Sequence, residues 1–372
     1  MKKRILHAVD SSGFYGTESV ILNIAEGMKN TRYENIVGSF SDKINYQSDL
    51  SKAAEKKGLL YKNIYLKGKF NPVNILTLAK ILRSEKIDLI HSHGYKTNIL
   101  GFFAGKISNT PLIVTNHLFK KSGRKLQLYH QADLFILKYI PKIIAVSDEI
   151  RDIFIEKGIN KNKIIVIDNG INVKEIESKS KDKSIFKNIN NLKGSILIGC
   201  LGRLNVQKGF TYLLDAAKIV LNNYANIKFI IAGEGPQKNE LIHKLKDLKL
   251  EKQFHFIGYC NDPINFLKNI DIFILPSIDE GLPIALLEAM ACKLPIITTN
   301  VGSITKVIQN KQNGLIGPAS SVPFLVESII YLIENKQEAR EFGENAFQTV
   351  VTKFSNDHMA EQYARIYSEL LD

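Results

Sequence analysis

Two acidic residues stand on either side of a proline-led turn in residues 275–290, which read Leu-Pro-Ser-Ile-Asp-Glu-Gly-Leu-Pro-Ile-Ala-Leu-Leu-Glu-Ala-Met. Pro283 suits the first turn of a helix, so Glu280 precedes the predicted helix and Glu288 lies just over one turn inside it. The helix start can donate to phosphate oxygens, one carboxylate can accept from sugar hydroxyls, and the other can accept from a ribose diol. A helix cap and a surface glutamate are the alternative, but the apolar neighbours argue against an ordinary surface.

A pair of cations follows the predicted strand 196–201. Gly202 and Arg203 come directly after it, and Lys208 and Gly209 follow in the same loop. The carboxyl ends of parallel strands face the crevice in which open α/β folds bind ligands. A guanidinium and an ammonium placed there can neutralise a diphosphate. Taken alone, however, the pair is better explained as two solvated surface cations.

Glycine turns follow a predicted strand in each half of the chain. Gly13-x-x-Gly16-x-Glu18 comes after strand 5–9, and Gly-Glu-Gly-Pro at 233–236 comes after strand 228–232. Glycine lets the backbone turn tightly and approach a ligand, while the next helix offers its N–H groups to an anion. The first pattern lacks the spacing of the dinucleotide fingerprint, so a plain tight turn is its alternative.

Metal or disulfide chemistry is not expected. His91 and His93 form a His-x-His pair at a strand end, but no third ligand is evident nearby in the sequence. Cys200, Cys260 and Cys292 lie far apart, which predicts no disulfide framework and a reducing, cytosolic setting. The chain also contains no Asp-x-Asp motif, so charge neutralisation by protein cations, without a metal, is predicted.

The elements that must position these residues alternate between strands and helices. The strand candidates are apolar runs, expected to be buried on both faces as in parallel sheets covered by helices: 5–9, 35–40, 59–66, 87–91, 112–116, 143–146 and 163–167, then 196–201, 228–232, 254–257, 271–275 and 295–298. Two doubly wound α/β domains, 1–172 and 195–354, are therefore predicted. Polar residues 173–194 suit a linker, and the helix 355–372 is expected to pack back on the first domain.

Length and charge agree with two domains. The chain has 372 residues, 45% apolar and 23% charged, which suits a globular protein and excludes disorder and coiled coil. The net charge of +13 is uneven, because residues 1–172 hold 27 basic and 15 acidic residues, while the rest hold 23 and 22. The first half is expected to meet a phosphate-bearing substrate, a membrane surface or a nucleic acid, or simply to be a solvated basic surface.

No targeting or membrane-spanning segment is expected. Lys2, Lys3 and Arg4 are followed by an apolar stretch that spans only residues 5–9, far short of a signal peptide. No apolar stretch approaches the roughly 20 residues that a spanning helix needs. A cytoplasmic protein, either soluble or peripheral at the membrane, is therefore predicted.

In order and context, these motifs resemble those of the retaining glycosyltransferases of family 4, over essentially the full length. The carrying motifs are the turn at 13–18, Ile-Ala-Val-Ser at 144–147, Asp-Asn-Gly-Ile at 168–171, Gly202-Arg203 with Lys208-Gly209, the turn at 233–236, and Glu280-x7-Glu288. The resemblance implies the GT-B fold, with two Rossmann-like domains facing across a cleft. The first domain would bind the acceptor and the second the nucleotide-sugar donor.

The resemblance also assigns roles to residues of the second domain. Arg203 and Lys208 would hold the donor diphosphate and stabilise charge on the leaving nucleotide. Glu280 would lie beside the transferred sugar, and Glu288 would hold the ribose. Five further residues would contact the nucleotide-sugar. Gly281 and Leu282 would do so through backbone donors and Tyr259 beside the base, and Gly233 and Glu234 belong to the glycine turn.

The resemblance also assigns roles to two residues of the first domain. Gly16 would allow that domain to approach the phosphate and sugar, and His117 matches a family histidine that contacts the donor sugar near the acceptor. Lys293 and Lys306 depart from the family pattern in loops near the sugar. These departures leave the identity of the sugar unpredicted.

The predicted function is transfer of a sugar, most simply from a UDP-sugar, to a hydroxyl acceptor with retention, in surface polysaccharide or glycolipid synthesis. The nucleotide-sugar is a substrate, and no cofactor or metal is expected. The alternatives are a nucleotide-sugar epimerase of the same fold and a basic module that binds nucleic acid or anionic surfaces. No nucleic-acid recognition motif is present, so nucleic acid is not an expected partner.

The basic excess of the first half leads to a membrane hypothesis. The segments 67–70 and 120–125 combine cations with aromatic residues, and Phe102 and Phe103 lie between them in sequence. Such a mixture suits docking on anionic lipid at the inner face of the cell membrane. A lipid-linked or saccharide acceptor would then be reached from that surface.

Overall fold

The computed structural model describes residues 2–11, 13, 14, 16–44, 46–68, 71–116, 124–182, 186, 192 and 194–372, and the side chains of these residues except 124–128. The candidate residue His117 and most of the basic segment 120–125 lie outside the described residues, as do Lys69, Phe70 and Phe119. The chain forms two compact units. Unit 1 contains Met1–Asn172 and Ser355–Asp372, and unit 2 is Val173–Phe354.

Unit 1 is built on a seven-stranded parallel sheet. Its strands are β1 (Lys3–Val9), β2 (Tyr33–Ser41), β3 (Leu60–Tyr65), β4 (Leu89–Ser92), β5 (Leu112–Asn116), β6 (Ile143–Ala145) and β7 (Ile164–Val166), and their order is β3-β2-β1-β4-β5-β6-β7. Its helices are α1 (Gly16–Gly27), α2 (Asp49–Lys56), α3 (Val73–Ser84), α4 (Tyr95–Ser108), α5 (Arg124–Leu137), α6 (Asp148–Glu156) and the last helix of the chain, given below.

Unit 2 repeats this winding. It begins with helix α7 (Val173–Ser178) and contains the strands β8 (Ile196–Leu201), β9 (Ile227–Ala232), β10 (Phe254–Gly258), β11 (Ile272–Leu275), β12 (Ile296–Thr299) and β13 (Leu315–Gly317), in the order β10-β9-β8-β11-β12-β13. Its other helices are α8 (Phe210–Val220), α9 (Lys238–Asp247), α10 (Pro263–Lys268), α11 (Ile284–Ala291), α12 (Val322–Glu334) and α13 (Lys336–Lys353). The strand pairs are parallel, so the predicted α/β class with two doubly wound domains is confirmed.

The last helix, α14 (Asn356–Leu371), returns to unit 1. It packs against α1, and the backbone N–H of Asn356 donates to the carbonyl of Ile171 at 2.8 Å. A Cβ at Gly170 would press on the carbonyl of Ser355. The Asp-Asn-Gly-Ile motif therefore has a structural role here, because its glycine and isoleucine receive the start of α14.

The structure differs from the sequence prediction at four places. Strand β3 is the edge of its sheet and is largely exposed, so burial on both faces is wrong for this strand. The short edge strand β13 has no predicted counterpart. Helix α7 occupies the beginning of the segment expected to be a linker. Pro283 is the N-cap of α11 rather than a residue of its first turn.

The core of each unit lies between its sheet and the covering helices. In unit 1 the apolar faces of α3, α4, α5 and α6 pack on one side of the sheet, whereas α1 and α2 pack on the other. Ser147, from the Ile-Ala-Val-Ser motif, caps α6 by accepting from the N–H of Ile150 at 3.2 Å. In the described part of the chain, no helix is both long and apolar enough to cross a bilayer.

Candidate functional site

The predicted donor site lies at the point where the strand order of unit 2 reverses. Strand β8 has β9 on one side and β11 on the other, and ligands of open α/β sheets bind in the crevice at such a point. The loop after β8 carries Arg203 and Lys208, and the loop after β11 carries Glu280. The topology therefore places the loops with the predicted cations and carboxylate at the carboxyl ends of neighbouring strands.

Close packing between backbones holds these loops together. A Cβ at Gly233, which has a φ of +153°, would overlap the carbonyl of Gly202, and a Cβ at Gly209, with a φ of +64°, would overlap the carbonyl of Pro276. The N–H of Ile278 donates to the carbonyl of Gln207 at 2.7 Å. Only glycine allows such an approach at a positive φ, so the glycines fix the relative positions of the site loops.

Lys208 and Glu280 form the central pair of the site. The Lys208 ammonium donates to Oε1 of Glu280, and the Ser277 hydroxyl donates to the same oxygen at 2.6 Å. The side chains of Lys208 and Glu280 are only 17% and 11% exposed. A partly buried ammonium held by two neighbouring loops is suited to meeting a diphosphate. Sequence reasoning missed Ser277, although its position three residues before Glu280 was the available signal.

The other predicted donor contacts lie around this pair. Arg203 is exposed, which leaves its guanidinium accessible to an anion. Glu234 forms an ion pair with Lys238 at 2.8 Å, and its carboxylate lies beside Gly258. Tyr259 is 51% exposed. These residues belong to the loops after β8, β9 and β10, so they surround one end of the sheet.

The loop before α11, which carries Glu280, packs against the segment that follows β12. Gly302 has a φ of +53°, and a Cβ there would overlap the carbonyl of Glu280. The N–H of Ser303 donates to the carbonyl of Gly281 at 3.2 Å, and the Leu282 side chain is buried. The loop that carries Glu280 is therefore anchored to the segment that follows β12.

Glu288 is a partly buried carboxyl on α11. Burial raises its pKa to about 7, the nearby carboxylates of Asp262 and Glu175 add to the rise, and Lys179 opposes it. Near neutral pH this group therefore exists in both protonation states. A ligand that donates hydrogen bonds to the carboxylate, such as a ribose diol, would favour the ionised form.

In unit 1, Gly16 is the first residue of α1 and no atom lies within 4 Å of the position of its missing Cβ. The turn before it is closed by Ser11, whose hydroxyl donates to Oε1 of Glu18 at 2.9 Å. Lys96, the second residue of α4, pairs with Asp10, which directly follows β1. A hydrogen bond therefore supports the glycine turn, and the space beside the Cα of Gly16 is open.

The histidine pair has a third member, which corrects the expectation that no third ligand lies nearby. His7 on β1 is opposite His91 on β4, and candidate ligand atoms of His7, His91 and His93 lie within 4.8 Å of one another. His7 Nδ1 contacts His93 Nε2 at 3.1 Å and His7 Nε2 contacts Asn35 at 2.9 Å. The strand register that brings residues 7 and 91 together has no local sequence signal.

These histidines belong to a buried hydrogen-bond network. His91 binds the Tyr367 hydroxyl through Nδ1 at 2.7 Å and the Thr115 hydroxyl through Nε2 at 2.6 Å. Burial lowers the pKa of His7 to about 4, against a smaller opposing effect of Asn35. The network joins β1, β4 and β5 to α14, and burial keeps the His7 imidazole neutral near pH 7.

Both halves of the chain match known families. Residues 14–175 match Glycosyltransferase Family 4, and residues 181–349 match Glycosyl transferases group 1. A solved structure of Anabaena HepE in complex with UDP-glucose superposes with a TM-score of 0.84 at 21% identity, over 98% of this chain and 99% of that one. The two units therefore have the GT-B fold.

Two curated relatives define the family more closely. The UDP-Gal:alpha-D-GlcNAc-diphosphoundecaprenol alpha-1,3-galactosyltransferase of Escherichia coli is 31% identical over 71% of this chain and 70% of its own length. The N,N'-diacetylbacillosaminyl-diphospho-undecaprenol alpha-1,3-N-acetylgalactosaminyltransferase of Campylobacter jejuni is 28% identical over 80% and 81%. The chain belongs to glycosyltransferase family 4, and the predicted class of enzyme is confirmed.

Proposed function

We propose that this protein transfers a sugar from a UDP-sugar to a hydroxyl of a lipid-linked saccharide, with retention of configuration, in the synthesis of a surface polysaccharide or glycolipid. The observation that carries the proposal is the Lys208–Glu280 pair at the reversal of strand order in unit 2. Open α/β sheets bind ligands at such a point, and a partly buried cation there suits the diphosphate of a nucleotide-sugar, which supports the proposal.

The donor half of the proposal is supported by charge and by relatives. Arg203 and Lys208 supply two positive charges for the diphosphate, and Glu288 supplies an acceptor for the ribose. The Escherichia coli relative is named for a UDP-Gal donor, and the Anabaena structure contains UDP-glucose. A uridine nucleotide is therefore the first donor to test.

Catalysis would depend on charge stabilisation and positioning. The bond between the anomeric carbon and the β-phosphate oxygen breaks, and its electron pair stays on the UDP leaving group. The acceptor hydroxyl oxygen then bonds to the same face of that carbon, and its proton passes to the leaving phosphate oxygen. Arg203 and Lys208 would stabilise the developing negative charge, while Glu280 would orient Lys208 and the sugar. No protein nucleophile and no metal is required in this scheme.

The acceptor half of the proposal assigns unit 1 to the acceptor. The two curated relatives are named for acceptors that carry a diphospho-undecaprenol, which are amphiphiles confined to a membrane. Unit 1 holds 28 basic and 19 acidic residues, whereas unit 2 holds 22 and 18. We therefore propose that unit 1 works at the inner, anionic face of the cell membrane.

The test combines donor binding with transfer. The melting temperature should rise with a UDP-sugar and not with GDP- or ADP-sugars, because a ligand that binds only the folded state stabilises it. Radiolabelled sugar from that donor should then appear in a diphospholipid-linked saccharide, and the anomeric configuration of the product reports retention. A new nucleotide-sugar formed without acceptor would indicate an epimerase instead. Loss of transfer in chelator, restored by Mg²⁺ or Mn²⁺, would contradict the metal-free scheme.

A further inference from the structure

Three helices of unit 1 have an unusual charge composition. Helix α4 packs against both α3 and α5, and the three helices contain six Lys or Arg residues and one acidic residue. That residue, Asp133, is 3% exposed, its carboxylate accepts from Asn98 at 2.8 Å, and burial raises its pKa to about 6. In the described part of the chain, these three helices therefore present no carboxylate to solvent.

The remaining helices of unit 1 show the opposite composition. Helices α1, α2, α6 and α14 together contain eleven Asp or Glu residues and four Lys or Arg residues. The basic excess of unit 1 is thus concentrated on part of its surface. Such segregation is what a surface that meets an anionic plane requires.

The same three helices expose large apolar side chains. Their outward positions, which we call the α3–α5 face, alternate between apolar and cationic residues: Val73, Leu76, Lys80 and Arg83 on α3, Phe103, Lys106 and Ile107 on α4, and Phe135, Lys138 and Tyr139 on and just after α5. Leu76, Phe135 and Tyr139 are each about 60% exposed. Exposure on this scale is typical of an interaction surface.

The aromatic side chains form one cluster rather than scattered exposures. The ring centroids of Phe135 and Tyr139 are 5.3 Å apart, Phe102 lies 5.4 Å from Phe103 and 6.4 Å from Tyr139, and they line a groove of about 380 Å³ between α4 and α5. The Lys106 ammonium lies 5.9 Å from the ring centroid of Phe102. Aromatic rings flanked by lysines suit the boundary between lipid headgroups and acyl chains.

We propose that the α3–α5 face docks on an anionic phospholipid bilayer, with the Phe102–Phe103–Phe135–Tyr139 cluster entering the headgroup boundary and the lysines contacting lipid phosphates. This inference deepens the proposed function, because it names the surface through which unit 1 would reach a membrane-bound acceptor. Charge complementarity selects this occupant, since a protein partner of ordinary composition would not need a face without carboxylates.

The test measures co-sedimentation of the full chain with phosphatidylcholine vesicles that do or do not contain phosphatidylglycerol. Binding should require phosphatidylglycerol and weaken in high salt. Changing Lys80, Lys106 and Lys138 to Gln together should lower partitioning about 100-fold, since each basic residue near such a surface contributes about fivefold. The double change Phe135→Ser and Tyr139→Ser should lower it by about 10-fold or more.

Matched controls come from unit 2. Changing the exposed Lys218, Lys246 and Lys336 to Gln removes the same charge, and the double change Ile219→Ser and Val351→Ser removes exposed apolar groups. These variants should bind vesicles like the wild type. Equal loss in the controls, equal binding to neutral vesicles, or vesicle binding unaffected by the α3–α5 changes would overturn the proposal. The proposal would also be overturned if the protein were a dimer that these changes dissociate. Binding of duplex DNA through the same lysines, without binding to vesicles, would overturn it as well.

Failure of this proposal is distinguishable from failure of the proposed function. The α3–α5 variants should keep the UDP-sugar thermal shift and transfer to a water-soluble acceptor analogue, because none of the altered residues belongs to the donor site. Transfer without vesicle binding would reject the docking face alone. Vesicle binding without any sugar transfer would reject the proposed function alone.

Discussion

The two units share one sheet topology but use its reversal point differently. In unit 2 the loops after β8 and β11 carry an accessible arginine and a partly buried ion pair, held together by glycines. In unit 1 the corresponding strands, β1 and β4, carry the buried histidines His7 and His91, and His93 follows β4. Strands in the same topological position are therefore followed in unit 2 by loops that form an accessible, charged site. Those of unit 1 carry buried imidazoles within the strands themselves, and the loop after β1 carries Asp10 and the glycine turn.

The first prediction concerns the Lys208–Glu280 pair, at the reversal of strand order in unit 2. Lys208→Ala and Glu280→Ala should each lower kcat for sugar transfer by about 100- to 1000-fold, because each removes a preorganised group beside the developing charge. The measurement is the steady-state rate with a UDP-sugar identified by thermal shift. Lys244→Ala is the matched control, since Lys244 forms a comparable ion pair with Asp215 in unit 2 at 2.7 Å. Near-normal transfer by both site variants would show that the assignment of the pair is wrong.

The second prediction contrasts the glycines of the two units. Gly233→Ala should destabilise the protein by about 2–4 kcal/mol, because the new Cβ would overlap the Gly202 carbonyl at a positive φ. Gly16→Ala should change stability by less than about 0.5 kcal/mol, since the space around it is open. Urea unfolding measures both. If Gly16→Ala also leaves transfer unchanged, then the proposed contact of Gly16 with the donor does not exist.

The third prediction concerns His7, which is buried where the strand order of unit 1 reverses. The pKa of His7 is lowered from 6.5 to about 4 by burial, so the unfolded chain binds a proton more readily below pH 6.5. The free energy of unfolding should therefore fall as the pH is lowered, by about 2 kcal/mol from this residue between pH 7 and 5. His7→Gln should flatten that dependence, whereas a change of the exposed His243 to Gln should not. An unchanged slope in His7→Gln would mean that His7 is not held neutral.

The smallest expected effect belongs to Glu288. Its pKa is raised from 4.5 to about 7, so the folded protein holds this proton more tightly, and the carboxyl becomes less compatible with the fold as pH rises through that range. Glu288→Gln should therefore melt about 2–6 °C higher than the wild type at pH 8, with little difference at pH 4. The same change should weaken UDP-sugar binding about tenfold, since a ribose contact is lost. Unaltered donor affinity would remove Glu288 from the donor site.

Much of the fold could be predicted from the sequence, because buried parallel strands are continuous apolar runs. Strands β5 and β8 have the predicted bounds. Edge strands do not follow this rule. β3 is mostly exposed and β13 has only three residues, so neither has the pattern of a strand buried on both faces. Helix α7 was not predicted either, because residues 173–178 are mostly polar and only Val173 and Ile176 are buried.

Candidate site residues can be predicted where one segment of sequence carries the whole pattern, but not where distant segments meet. Glu280 and Glu288 share a single turn and helix, but the bond between Lys208 and Glu280 joins residues 72 positions apart. The place of His7 beside His91 and His93 depends on the register of β1 with β4. A predicted role for His117 stays a prediction, as it lies outside the described residues.

The return of α14 has a consequence for the order in which the protein can assemble during synthesis. Unit 2 is continuous, so its elements can fold as soon as they emerge from the ribosome. Unit 1 must wait for α14, which buries Tyr363 and Tyr367 and follows a whole intervening unit. Pairing segments this far apart raises contact order and slows folding. Until α14 arrives, the packing surface on α1 stays uncovered, so we expect unit 1 to be the part of the nascent chain most dependent on chaperones.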